Sequence, residues 1–340
     1  MKSENKILSI NLADKSYDII VGTGILCDAG KYFNLNRKVA IVTDTGVPRE
    51  YSMAIASQCK EARIITFPEG EENKNIDTFA YICKEMLTFG LQRKDAVIAV
   101  GGGVTGDMAG FAASSYMRGV DFYNVPTTLL SMVDSSVGGK TAIDFGGVKN
   151  ILGAFYQPKG VLIDTDVLKT LEERQFSAGL AEVVKMSLTS DKDLFSLLEG
   201  GLWEKDISEV ILRALTIKKL VVEADEREGS LRKILNFGHT FGHGIEALGG
   251  LYHGECVALG MLPMASASVR ERLVPLLVKM NLPTEINVDI NRAFEYMRLD
   301  KKGEGNAVAL VLVDEIGKFK LEKTSFDKLE QRISDYLRNI

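Results

Sequence analysis

Residues 95–110 read DAVIAVGGGVTGDMAG, an apolar run that ends in three glycines and leads into text of helical character. Few architectures accept that succession. A short, uniformly apolar run reads as a strand covered on both faces, as in a parallel sheet. A glycine turn opening a helix is the strand-to-helix link of such a sheet. Gly101, Gly103 and Gly106 satisfy the G-x-G-x-x-G spacing, which lets the backbone approach a pyrophosphate while the helix start offers unpaired N–H groups and partial positive charge. The same spacing also suits a tight turn without a ligand. It does not lie in the first strand–helix unit, so it decides nothing alone.

The text around it agrees with a parallel sheet. Residues 38–46 (KVAIVTDTG) and 62–67 (ARIITF) read as strands, and 76–90 as a helix. Asp44, closing the first of these strands, could accept hydrogen bonds from a ribose diol, which favours NAD over NADP; it could equally serve an Asx-turn or helix cap. After about residue 170 long amphipathic stretches dominate, such as 207–225 and 257–280, with 307–313 (AVALVLV) as a lone hairpin-strand candidate. The expectation is an α/β N-terminal domain over 1–170 and a mainly α-helical C-terminal domain over 171–340, without repeats or a low-complexity linker.

A chain of 340 residues, 46% apolar and 26% charged, has the length and composition of an ordinary two-domain globular enzyme. The net charge of −5 gives no basic face for nucleic acid, so an anionic substrate would need a local cluster of Lys and Arg. No apolar run is long enough for a membrane span, and the first residues (MKSENKILSINLADK) lack the apolar core of a signal peptide. Cys27, Cys59, Cys83 and Cys256 form no CxxC pair, which suits free thiols in a reducing compartment. A cytoplasmic location is expected.

All three histidines fall within residues 239–253. His239 and His243 are four apart and would share one face of a helix. Gly249 and Gly250 would break that helix and leave His253 near the start of the next. A catalytic zinc-like site needs three protein ligands and an open position. Either the three histidines supply them, or two histidines with a carboxylate such as Glu182, which has Lys185 one helical turn away. Spacing alone leaves both choices open. The glycines crowded around these histidines argue against a single core histidine with surface neighbours.

Several blocks, taken together and in order, resemble the 3-dehydroquinate synthases of the sugar-phosphate cyclase family. They are residues 68–74 (PEGEENK), 101–107 (GGGVTGD), 126–144 (PTTLLSMVDSSVGGKTAID), Lys149 with Asn150, 179–185 (GLAEVVK), 235–243 (LNFGHTFGH), 253–255 (HGE) and 300–302 (DKK). The resemblance implies a Rossmann-like NAD-binding domain, a helical domain carrying Zn2+ or Co2+, and catalysis in the cleft between. It implies Glu182, His239 and His253 as metal ligands, with His243 facing substrate instead. NAD would be met by Asp44, Glu71, Lys74, Gly102, Gly103, Val104, Asp107, Thr127, Thr128, Leu130, Lys140 and Lys149. A phosphosugar acid would be met by Asp134, Lys140, Lys149, Asn150, Lys185, Lys218, Arg232, Asn236, His243 and Lys301 or Lys302. Arg118 would be contributed by the second subunit of a homodimer. Of these, His243, Lys140, Lys185, Asn236, Arg232 and Asp134 would be catalytic.

The implied reaction turns 3-deoxy-D-arabino-heptulosonate 7-phosphate into 3-dehydroquinate and phosphate. It runs through transient oxidation by NAD, β-elimination, reduction, ring opening and an intramolecular aldol step. Other sugar-phosphate cyclases and metal-dependent polyol dehydrogenases are the nearest alternatives, and an inactive homologue serving as a binding module is the most distant. Arg232, Asn236 and His243 together match the dehydroquinate synthase pattern.

Overall fold

Among the described residues nine strands precede residue 172, and two of them, β7 (Lys140–Phe145) and β8 (Val148–Phe155), form an antiparallel hairpin of their own. The other seven are β1 (Lys6–Ile10), β2 (Tyr17–Gly22), β3 (Lys38–Asp44), β4 (Glu61–Phe67), β5 (Ala96–Gly101), β6 (Asp121–Pro126) and β9 (Gly160–Asp164). They make one sheet in the order β1-β2-β9-β6-β5-β3-β4, parallel except for β1 at one edge. This computed structural model describes residues 5–229, 231–300 and 307–338. The chain divides into two units, Met1–Glu172 and Glu173–Ile340.

In the first unit the strand text dictates the layering. All six residues of β5 (AVIAVG) are buried, as a central parallel strand requires. Helices α1 (Arg49–Ala56), α2 (Ile76–Thr88) and α3 (Gly103–Ser115) form the crossovers. Ile82 and Met86 of α2, and Met108, Ala109, Ala112 and Ala113 of α3, close the core over Ala40, Val42, Val97 and Ala99 of the sheet. From β3 the chain passes to β4 on one side and then returns to β5 on the other. The carboxyl ends of β3 and β5 therefore flank a topological switch point, the place where open α/β sheets bind ligands.

The second unit is mainly helical. It comprises α4 (Glu173–Ser190), α5 (Lys192–Glu199), α6 (Leu202–Lys205), α7 (Ile207–Ala224), α8 (His239–Glu246), α9 (His253–Met261), α10 (Ala267–Lys279), α11 (Ile290–Asp300) and α12 (Phe326–Arg338). One antiparallel hairpin, β10 (Ala307–Glu315) and β11 (Lys318–Ser325), joins them. The amphipathic stretch expected over 257–280 is not one helix. A 3-10 turn at Leu262–Met264, containing Pro263, ends the first helix, and the Ser266 hydroxyl accepts from Val269 N at 3.3 Å to cap the second. No helix among the described residues is long and apolar enough to cross a membrane.

Candidate active site

The switch point of the first unit gathers polar groups around the start of α3. Gly102 caps that helix without a side chain, leaving its first N–H groups unmatched by any cap. Asp44, at the end of β3, accepts from the Thr105 hydroxyl on the first turn of α3. The end of β6 is tied in as well, Thr127 N donating to Gly101 O at 2.9 Å. A Cβ on Gly102 would stand 3.1 Å from Thr128 Cγ2, and one on Gly103 would stand 3.2 Å from Ser135 Oγ, so Val104 is the first of these positions with a side chain. Leu130 leads into a single π-helical turn, Ser131–Ser135, that carries Asp134. Such turns recur at functional sites.

Lys74 is the charged centre of this unit. Its ammonium pairs with Asp107 at 2.6 Å, donates to Asn150 Oδ1 at 2.6 Å and lies 3.8 Å from Glu71. Burial works against the Lys74 charge, but Asp107, Glu71 and Asp144 outweigh it and raise its pKa. The partner behaves differently. Burial pushes the Asp107 carboxyl up to about 6, Lys74 opposes this only in part, and Glu71 and Asp144 add to the rise. Asn150 adopts the left-handed backbone region at φ 54° and is held there by its N–H to Asp144 Oδ1, 2.7 Å. Lys140 and Lys149 lie exposed on the β7–β8 hairpin, and Arg118 is exposed on the turn after α3 at φ 67°.

The second unit holds the other group. Glu182 and Lys185 sit one turn apart on α4, both fully buried and in direct ionic contact. Gly238, at φ 78°, ends the preceding loop so that α8 begins at His239, while α9 begins at His253. The Nε2 atoms of His239 and His253 stand 3.7 and 3.5 Å from Glu182 Oε1. Each ring is turned that way by an acceptor at Nδ1: Phe237 O at 3.1 Å for His239, and Glu246 Oε2 at 3.0 Å for His253. An outer acceptor fixing the tautomer and aim of a metal-ligating histidine is the usual arrangement around bound metals.

The donor set fits a divalent ion. Ligand atoms of Glu182, His239 and His253 lie within 4.8 Å of one another. Ligand bonds of about 2.0–2.2 Å in tetrahedral geometry would space them roughly 3.3–3.6 Å apart, close to what is found. Both Glu182 carboxylate oxygens are buried, and neither has a hydrogen-bond donor in good geometry, although Lys185 touches one as an ion pair. His243, Glu246 and His253 form a second grouping of the same compactness, but His243 is exposed and Glu246 already orients His253. The protonation states follow from the same packing. Burial favours neutral Glu182, yet Lys185, His239 and His253 overcome it and hold the carboxyl well below its ordinary range. His239 is pushed well below its usual value by burial and by Lys185. For His253, burial is outweighed by Glu182 and Glu246, and the ring is pushed up to about 10.

Two further cations and an amide named from the sequence lie in the same unit. Lys218 is buried on α7. Arg232 and Asn236 share the 3-10 turn Leu231–Asn236 that runs into α8, Arg232 Nη1 donating to Glu226 O at 2.6 Å and Asn236 Nδ2 to Glu228 at 3.0 Å. Lys301 and Lys302 fall outside the described residues. Sequence reasoning missed Glu246, because nothing in its spacing announces that it meets His253 across the Gly249–Gly250 turn.

Residues 64–178 match the family model described as 3-dehydroquinate synthase N-terminal, and residues 179–303 match its C-terminal counterpart. The chain belongs to the 3-dehydroquinate synthase family. A family member from Lactococcus lactis subsp. cremoris, named 3-dehydroquinate synthase, is 40% identical over 95% of this chain and 98% of its own. Among solved structures, a 2-deoxy-scyllo-inosose synthase complexed with carbaglucose-6-phosphate, NAD+ and Co2+ superposes with a TM-score of 0.86 at 27% identity, covering 97% of this chain and 99% of its own. A 2-epi-5-epi-valiolone synthase from Streptomyces hygroscopicus subsp. jinggangensis, with NAD+ and Zn2+ bound, gives the same score, identity and coverage.

Proposed function

We propose that this chain is a 3-dehydroquinate synthase, converting 3-deoxy-D-arabino-heptulosonate 7-phosphate to 3-dehydroquinate and phosphate with NAD and a divalent metal such as Zn2+ or Co2+. The observation that carries the reading is the buried Glu182–His239–His253 group, within a chain whose two halves match the two family models. NAD supplies a reversible hydride acceptor, and the metal supplies Lewis acidity toward the substrate's hydroxyls.

The chain's own groups do the positioning. Gly102, Gly103 and Val104 present the start of α3 to the pyrophosphate, and Asp44 accepts from a ribose diol. Glu71, Lys74, Asp107, Thr127, Thr128, Leu130, Lys140 and Lys149 complete the NAD contacts. Arg232 grips an anionic oxygen pair bidentately, while Lys185, Lys218 and Lys302 act as point charges on carboxylate and phosphate. Asp134, Asn150 and Asn236 orient hydroxyls. His243, the exposed histidine of α8, handles a proton at its ring nitrogen beside the leaving phosphate.

A second copy of the chain completes this assignment, supplying Arg118. In support, the β7–β8 hairpin leaves Phe145, Val148, Ile151 and Phe155 exposed, an apolar surface of the kind that marks an interface. The described cysteines form no disulfide, which supports a cytoplasmic setting.

The deciding experiment supplies purified protein with the heptulosonate phosphate, substoichiometric NAD, and zinc or cobalt. Inorganic phosphate and 3-dehydroquinate should appear together, with NAD turning over many times. NADH accumulation without phosphate release would identify a dehydrogenase instead. Loss of the His243 ring separates its role from that of the ligands: His243→Ala should keep stoichiometric metal while kcat falls about 10²–10⁴-fold, the usual worth of a positioned acid–base group. Metal content by elemental analysis, beside kcat, checks both halves.

Asp107 gives a pH prediction. Its carboxyl is raised to about 6, above an unfolded value near 3.9. The group therefore favours folding below pH ~4 and loses that contribution as pH rises through about 6. Carrying the charge at neutral pH is a cost that Lys74 offsets only in part. NAD affinity should weaken as pH falls through about 6, and Asp107→Asn should remove that inflection and weaken binding at pH 7.5 about tenfold. Calorimetric titration across pH 5–8 tests it; an inflection kept in Asp107→Asn would assign it elsewhere.

A further inference from the structure

Three residues of α4, each four apart, meet three consecutive residues at the start of α9. Glu182 faces His253, with 3.5 Å between Oε1 and Nε2. Ala178 meets Gly254 so closely that a Cβ there would stand 1.9 Å from Ala178 O. Arg174 grips Glu255 with two parallel bonds, Nε to Oε1 and Nη2 to Oε2, both 2.7 Å. Residues at i, i+4 and i+8 line one side of a helix, so α4 presents a single ladder to the helix carrying His253.

The outermost rung is more than a surface ion pair. Glu255 is 6% exposed. Its Oε2 also accepts from Tyr252 N at 2.7 Å, closing the box at the start of α9. Arg174 Nη2 donates to Gly250 O at 3.0 Å, and its guanidinium lies over the Tyr252 ring, 4.6 Å from the centroid. Arg174 thus holds the residue two before Tyr252, the ring of Tyr252 and the carboxylate of Glu255. His253 lies inside the span it clamps.

Resting on the metal assignment above, we infer that Arg174 and Glu255 are positioning residues for the metal. They fix the backbone of His253 so that its Nε2 meets Glu182 without rearrangement, and neither touches the ion. A bidentate guanidinium suits that task because its planar fork sets orientation as well as distance. Lysine at 174 would keep the charge and lose the fork.

The test uses the full-length protein, with Zn2+ alone as the probe and competition by a chromophoric chelator as the readout. Arg174→Lys, Arg174→Met and Glu255→Gln should each bind Zn2+ about 10–100-fold more weakly, the usual loss when an outer partner of a metal ligand is removed. Saturating Zn2+ should restore kcat toward wild type, and NAD affinity should not move. Glu255→Gln keeps an oxygen for Tyr252 N while placing an amide N–H against the guanidinium, so the cap survives and the fork does not. Should that variant fail to fold, Arg174→Met, at a half-exposed side chain, carries the test. A folded variant whose Zn2+ affinity stays within twofold of wild type, even with a lower Tm, overturns the inference and leaves the pair merely structural. If wild-type protein itself binds no Zn2+, the metal assignment fails rather than the clamp.

Discussion

Glu182→Gln is expected to release the metal and lower kcat about a thousandfold or more. The substitution is nearly isosteric, so packing around position 182 changes little, but it removes the only carboxylate of the set and places a neutral amide where two Nε2 atoms converge. Metal-assisted charge stabilisation contributes several kcal/mol, and each 1.36 kcal/mol is tenfold in rate. The variant has a second consequence. Lys185, 1% exposed, loses its carboxylate partner, and breaking a buried pair by removing one member typically costs about 3–5 kcal/mol. The metal-free variant should therefore melt below the metal-free wild type. Elemental analysis after dialysis, together with calorimetric melting of both metal-free proteins, reads the two effects separately. Stoichiometric metal and a tenth or more of the activity in Glu182→Gln would sink the assignment of Glu182 as a ligand.

Gly254→Ala should be among the most damaging conservative changes in the second unit. Helix propensity alone favours alanine over glycine by about 1 kcal/mol within a helix. The clash decides the sign, because the new methyl would stand 1.9 Å from Ala178 O, a backbone atom that cannot rotate aside. Forcing apart a close-packed contact costs about 1–3 kcal/mol, and the upper end applies where backbone must move. For a unit of this size that is roughly 6–12 °C in Tm. Separation of α4 from α9 would also draw His253 away from Glu182, so metal affinity should fall with stability. Gly249→Ala is the control: a Cβ there meets nothing within 4 Å, so any cost comes only from its φ of 82°. A Gly254→Ala protein with wild-type Tm and metal affinity would show that the helices part without penalty.

Legibility in the sequence followed how local the physics was. The buried strands β3 and β5 were readable because their apolar runs are short and nearly uniform, and the glycine turn after β5 announces its helix; β4, at the sheet edge, buries Ile65 and Phe67. The start of α9 at His253 was likewise foreseeable from Gly249 and Gly250. What escaped depended on distant partners. The β7–β8 hairpin has one strand almost wholly exposed, so its apolar residues follow neither a core nor a surface pattern. The choice between three histidines and two with a carboxylate was not settled by spacing, since Glu182 lies 57 positions before His239 and only packing brings them together. Arg174, Glu246 and Glu255 read as solvated charges until their partners are known. The apolar text of 257–280 runs through Pro263 without a change of period, which hid the break there.

The ladder between α4 and α9 is one part of a wider seam. A Cβ on Gly260 would stand 1.9 Å from Gly238 O, and one on Gly242 would stand 2.9 Å from Cys256 O, so α8 and α9 also touch backbone to backbone. Side chains between helices act as deformable padding, since they can change rotamer and let one helix slide past another. At Gly242, Gly254 and Gly260 that padding is absent. Those contacts resist sliding of α9, which carries His253, against the helices that carry Glu182 and His239, and so guard the spacing of the three residues. A reaction that needs several successive substrate shapes must find its give in other segments.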